Sequence, residues 1–112
     1  MSLYADYLKE REGLETIESA AGDGFLTYTV TEEYLYIVDI YTKPEARRTG
    51  AATKLEAMAA AVARSCGLSH LMGSVALNVE GVAVSLKMMI NRGYTFQSFN
   101  AEKQIMYFLK GI

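Results

Sequence analysis

A strand that runs into a proline and then into an alanine-rich helix constrains this chain more than any other feature. Tyr34 to Thr42 is a run of β-branched and aromatic residues, the composition of a strand. Pro44 has no N–H to give a ladder, so the strand must end there. From Lys54 to Cys66 apolar residues recur at helical spacing. The connection, Tyr41-Thr-Lys-Pro-Glu-Ala-Arg-Arg-Thr-Gly-Ala-Ala-Thr53, gathers several backbone N–H groups at a helix N-terminus. Partial positive charge there favours an anion such as phosphate. Arg47 and Arg48 stand at the same mouth, where two cations oppose the helix dipole unless an anion joins them. The first expectation is therefore an anion-binding strand–loop–helix for a phosphorylated cofactor.

The elements on either side follow from periodicity and turn chemistry. Leu3 to Arg11 predicts a short helix and Glu15 to Ser19 a short strand. Ala21-Gly-Asp-Gly24 is a turn, because its glycines tolerate positive φ. Phe25 to Val30 alternates as a strand, and Thr31-Glu-Glu33 is short enough to close a hairpin onto Tyr34 to Thr42. Simple alternation puts Tyr34, Tyr36, Val38, Ile40 and Thr42 on one face and Leu35, Ile37, Asp39 and Tyr41 on the other. Both faces are mostly apolar, which predicts a central strand covered on both sides.

The helix from Lys54 to Cys66 carries Ala51, Ala52, Leu55, Met58, Ala59, Val62 and Cys66 on its apolar stripe, with Cys66 read as a small core residue. Ser69 to Leu77 predicts a strand, Glu80 to Asn91 a helix closed by Arg92-Gly93, and Tyr94 to Phe99 and Gln104 to Leu109 two final strands. The order is α-β-β-β-α-β-α-β-β. A strand–helix–strand step implies a parallel pair, and the hairpins add antiparallel neighbours. The expected fold class is α/β (α+β): one domain over residues 1–112, a mixed β-sheet flanked by helices.

Composition narrows the functional classes. With 11 basic and 13 acidic residues the net charge is −2, which gives no general attraction to nucleic acid or to an anionic membrane. No apolar run reaches the ~20 residues of a membrane span. The single cysteine excludes an internal disulfide and fits a reducing compartment, so a cytoplasmic location is the default expectation. No metal ligands are assigned.

In this setting the segment Thr42-Lys-Pro44-Glu-Ala-Arg47-Arg-Thr-Gly50-Ala-Ala52 resembles the acetyl-CoA signature of the GNAT N-acetyltransferase superfamily, Arg/Gln-x-x-Gly-x-Gly/Ala led by Val-x-Pro. Arg92-Gly93-Tyr94 resembles the same family's helix-ending Gly-Phe/Tyr. The resemblance implies that amides from Arg48 through Thr49, Gly50, Ala51 and Ala52 to Thr53 cradle the pyrophosphate of acetyl-CoA, with Arg47 beside them. It implies that Ile40, Tyr41 and Thr42 pair through their backbones with the pantetheine arm. An amide near Ile40 or Tyr41 would polarise the thioester carbonyl, and Asn78 would bond to the pantetheine side. The implied reaction is direct acetyl transfer to an amine of a small molecule or peptide.

The chain departs from the family in its chemistry. The family often places a proton-donating tyrosine four residues before the glycine of Gly-Phe/Tyr, and here that residue is Met89. Tyr41 and Tyr94 flank the expected cleft, and Tyr94 is the candidate replacement. Asp39 is read evenly as a general base or as a structural acceptor. The alternative function is a degenerate module that keeps the fold and CoA binding without turnover. A C-terminal edge at Gln104 to Leu109 would invite a homodimer.

Overall fold

The computed structural model describes residues 2–112. Helix α1 (Leu3–Glu12) leads into β1 (Glu15–Glu18), β2 (Gly24–Val30) and β3 (Leu35–Thr42). A short 3-10 turn, Pro44–Ala46, precedes α2 (Ala51–Ser65), followed by β4 (His70–Ala76), α3 (Val82–Asn91), β5 (Thr95–Asn100) and β6 (Ile105–Gly111). The element order is the expected one. The strands form a six-stranded mixed sheet in the order β1-β2-β3-β4-β6-β5, with β3 and β4 as its parallel pair.

One residue changes the side-chain phase of β3. Thr27 pairs with Asp39 and Tyr28 with Ile37, so Val38 is left without a partner and forms a bulge. Beyond it Leu26 opposes Ile40 and Phe25 opposes Tyr41. Cross-strand partners share a face, and Leu26 lies in the same core cluster as Leu35 and Leu55 of α2. Ile40 therefore joins Leu35 and Ile37 on the α2 face, while Asp39 and Tyr41 swing to the other. This corrects the simple alternation. Tyr4 of α1 meets Phe25 edge-on at 5.6 Å, which puts α1 on the face opposite α2. Leu86 and Met89 of α3 pack on the α2 side.

The outer half of β3 also lacks the two-sided cover expected of it. Leu35 is fully buried, but Val38, Ile40 and Tyr41 are exposed. The buried stripe of α2 is rotated as well: Leu55, Glu56, Ala59, Ala60 and Ala63 are buried, whereas Met58 is 44% exposed and Cys66 is exposed. The rotation turns Glu56 inward, where Lys110 and Tyr94 bind it. The C-terminal strand is not an edge. β6 pairs with β4 along its whole length and with β5 on its other side, so the open edge is β5.

Candidate functional site

The site begins where two strands part. β3 and β4 pair only at Leu35–Leu71 and Tyr36–Met72, after which β4 continues beside β6 and β3 beside β2. Ile37 to Thr42 thus present one backbone edge to no strand among the described residues. Between the diverging strands opens a cleft of about 270 Å³. Its walls are the free edge of β3 (Ile37, Val38, Asp39, Ile40), β4 (Gly73, Ser74, Val75), Ala52 and Glu56 of α2, Ser85, Met88 and Met89 of α3, and Arg92 and Tyr94. Gly73 lets the Met89 side chain lie directly on β4: a Cβ there would stand 2.5 Å from the Met89 methyl carbon and make that side chain move aside.

The loop between β3 and α2 supplies the second half of the site. Gly50, at φ 87°, is the residue before the first turn of α2, and Arg48 also takes a left-handed conformation, at φ 65°. Among the described residues, the amides of Arg48, Thr49, Gly50, Ala51, Ala52 and Thr53 find no backbone or side-chain acceptor. No side chain caps α2 and no acid stands in its first turn. Exposed amides converging at an uncapped, cation-flanked N-terminus form a nest for an anion. Arg47 folds back from it: its guanidinium lies 5.7 Å from the Tyr41 ring centre and its Nε donates to the Thr42 carbonyl at 3.3 Å. Thr49 donates its hydroxyl to the Ala46 carbonyl, which braces the loop.

Of the residues singled out in the sequence, Asp39, Ile40, Ala52 and Tyr94 line the cleft. Arg47 to Ala51 and Thr53 belong to the exposed loop and the first turn of α2, and Tyr41 and Thr42 end the free edge. Asn78 sits in the exposed turn after β4 and is not among the cleft-lining residues. The carboxylate of Asp39 is exposed and accepts the Ile40 N–H at 2.9 Å. It therefore already engages one of the amides assigned to the thioester.

Sequence reasoning missed a buried ionic knot on the cleft wall. Glu56, 9% exposed, accepts the Tyr94 hydroxyl at 3.0 Å and the Lys110 ammonium at 2.7 Å, with an Arg92 nitrogen 3.8 Å away. Arg92 also reaches the Thr53 hydroxyl at 3.4 Å, which ties the end of α3 to the first turn of α2. Burial first, and then the neighbouring Glu56 carboxylate, push the Tyr94 hydroxyl well above the ordinary tyrosine range. Tyr94 is thus a firmly protonated strut whose proton points at Glu56. The only sequence signal for the knot is a glutamate amid a run of alanines.

The splayed strand pair, the cleft between its strands and the uncapped N-terminus of α2 thus lie side by side. The Acetyltransferase (GNAT) family model matches residues 4–85, and the chain belongs to that family. No curated protein matches the chain. Among solved structures it resembles the PaiA N-acetyltransferase from Thermoplasma acidophilum in complex with coenzyme A, with a TM-score of 0.71 at 14% identity over 94% of this chain and 66% of that one. It also resembles Ard1 from Thermoplasma volcanium, with a TM-score of 0.67 at 13% identity over 98% and 78% of the two chains. An IAA acetyltransferase from Bacillus cereus gives 0.67 at 13% identity over 88% and 78%.

Proposed function

We propose that this chain binds acetyl-CoA and transfers its acetyl group directly to an amine of a small molecule or peptide. The observation that carries this reading is the juxtaposition of the free β3 edge with the unclaimed amides of Arg48 to Thr53. The pyrophosphate would sit on those amides, and the pantetheine arm would run along Ile40 to Thr42 by strand-like hydrogen bonds. The similar PaiA structure is a complex with coenzyme A, which supports this reading. The Ile40 amide, released from Asp39 or shared with it, would polarise the thioester carbonyl. Asp39 is the proposed acceptor of the amine proton, through water, because it is the carboxylate at the free edge. Tyr94 closes the cleft wall but is a poor proton donor, since its hydroxyl is committed to Glu56.

Isothermal titration with acetyl-CoA tests the binding step. Binding at sub-millimolar Kd is expected, and no heat at that concentration would sink the proposal. Gly50→Val should abolish it, because a β-branched residue resists positive φ. CoA release over a panel of amines then tests turnover, and binding without release would identify a binding module instead.

Self-association is proposed through β5, not through the C-terminal strand. β5 is an uncharged edge with Phe96 and Phe99 exposed, whereas the opposite edge, β1, carries Glu15 and Glu18. Light scattering after gel filtration should give a dimer that Phe99→Asp dissociates. A monomeric wild type would refute it. The exposed Cys66 thiol suits a reducing cytoplasmic location.

A further inference from the structure

Helices α2 and α3 cover one face of the sheet. On the other face α1 lies against β1 and the start of β2, where Tyr4 meets Phe25. Across β3, β4, β6 and β5 that same face holds a hollow of about 340 Å³, lined by Tyr34, Tyr36, Met72, Ser98 and Tyr107. Tyr36 pairs with Met72 and Ser98 with Tyr107, and paired residues share a face. The Tyr36 and Tyr107 rings stand 6.4 Å apart at 53°, so they form two sides of a V and leave the space between them open.

The hollow adjoins the cleft. Residues from both faces of the sheet line the cleft: Ile37 and Val75 pack in the core cluster on the α2 side, whereas Asp39 and Ser74 lie on the other. The gap at the fork therefore passes through the sheet. The Ser74 Oγ of the cleft lies 2.8 Å from the Tyr36 hydroxyl of the hollow, so one hydrogen bond separates the two spaces. Asp39 stands on the face of the hollow, three residues or ~10 Å along β3 from Tyr36. Its Oδ1 accepts the Ile40 N–H, and its Oδ2 has no partner among the described residues.

The lining decides what can lie there. An acceptor with several charged amines needs carboxylates to receive them, and none lines the hollow. Tyrosine rings and a methionine sulfur favour an aromatic ring packed edge-on or offset. An apolar cavity of about 150 Å³ already holds a benzene molecule, so the hollow has room for a ring and a short arm.

We infer that the acceptor is a primary amine borne on a short alkyl arm from one aromatic ring, with the ring in this hollow and the nitrogen at Asp39. This rests on the acetyl-transfer reading above. The nitrogen then faces the fork. Its lone pair adds to the thioester carbon, the C–S bond breaks with its electron pair on the CoA sulfur, and the amine proton leaves through Asp39 to water. Tyr34, Tyr36 and Tyr107 set specificity and take no part in proton transfer.

Saturation-transfer NMR on the CoA-loaded protein reads the contact without turnover, with 2-phenylethylamine as the probe. Its ring protons should receive magnetisation from wild type and lose it in Ser98→Trp, which fills the hollow from an exposed position on the edge strand. Tyr34→Ala, which removes one wall, should weaken the same signal. Both variants should titrate with CoA as wild type does. Acetylation, counted per unprotonated amine, should show a kcat/KM ~10- to 100-fold higher for 2-phenylethylamine than for ethylamine or spermidine, the range for burying one ring. Equal transfer in wild type and Ser98→Trp, or no transfer to CoA-loaded wild type, would overturn the inference. So would ethylamine or spermidine turned over as fast as the aromatic amine, with acetyl transfer itself left standing. Failure of wild type to bind CoA would overturn the reading beneath it.

Discussion

Helices α2 and α3 begin alike and end up in different surroundings. Each starts from a glycine in the left-handed conformation, Gly50 at φ 87° and Gly81 at φ 79°, with no side-chain cap and no acid in the first turn. α3 is the more apolar by sequence, yet none of its residues is fully buried, whereas five in α2 are. The cause is position. α2 lies across β1, β2, β3 and β4, while α3 rests chiefly on β4 at the rim of the cleft. Apolar composition alone does not decide burial; the strands beneath the helix do. α2 is therefore the firmly seated floor that follows the 44–50 loop, and α3 is a shallowly seated wall. Such a wall can adjust to what enters the cleft.

The largest test of that contrast is truncation at matched leucines. Leu55 in α2 is fully buried and Leu86 in α3 only half-buried. Leu55→Ala should cost about 3–4 kcal/mol in urea unfolding, and Leu86→Ala about 1 kcal/mol, because the second site can collapse or admit water. Equal costs would mean that α3 is anchored as firmly as α2.

The next effect separates α2 from its ionic partners. Glu56 holds both Lys110 and Tyr94, so Glu56→Ala leaves a half-buried cation and a buried hydroxyl without their acceptor. A loss of about 2–3 kcal/mol is expected, with Glu56→Gln costing less because the amide oxygen still accepts. A neutral Glu56→Ala would show that water replaces the carboxylate and that the knot does not secure the cleft wall.

The order of elements is legible in the sequence because it depends on short-range signals. Periods of 2 and 3.6, Pro44 as a stop, and Gly50 and Gly93 as turn residues mark the strands and helices within a residue or three. The turn geometry of the 44–50 loop is legible for the same reason, since its glycine and proline act on their own backbone. The missed features depend on distant partners. Glu56 looks like an exposed helix residue until Tyr94 and Lys110, 38 and 54 positions away, arrive beside it. The Val38 bulge has no local signature in a run of uniformly good strand formers, so the phase change of β3 shows only in its pairing with β2. That β6 inserts between β4 and β5 is likewise a matter of which strand finds which, and the Tyr36–Ser74 pair exists only because β3 and β4 run parallel.

A smaller effect lies in alkaline solution. Tyr94 is held protonated in the folded state by burial and by Glu56, and Tyr28 is raised too, chiefly by burial and then by Glu15. The unfolded chain releases these protons first, near the ordinary tyrosine value of about 10. Above that pH the folded state binds more protons than the unfolded, so stability falls as pH rises and is fully present below it. Tyr94→Phe should make the decline above about pH 10 shallower, as read by urea midpoints across pH. An unchanged slope would assign the decline to other groups.

The smallest expected effect is on the outer side of α3. Ile90 is 64% exposed, so making it polar removes little buried surface. Ile90→Gln should shift stability by less than about 0.5 kcal/mol, since isoleucine and glutamine differ little in helix propensity and neither loses a buried contact. A loss well above that, or one that grows with protein concentration, would mean that another surface covers this side of the helix. α3 would then be a buried element like α2, completed by a partner rather than by the sheet, and the shallow-wall account of the cleft would fall with it.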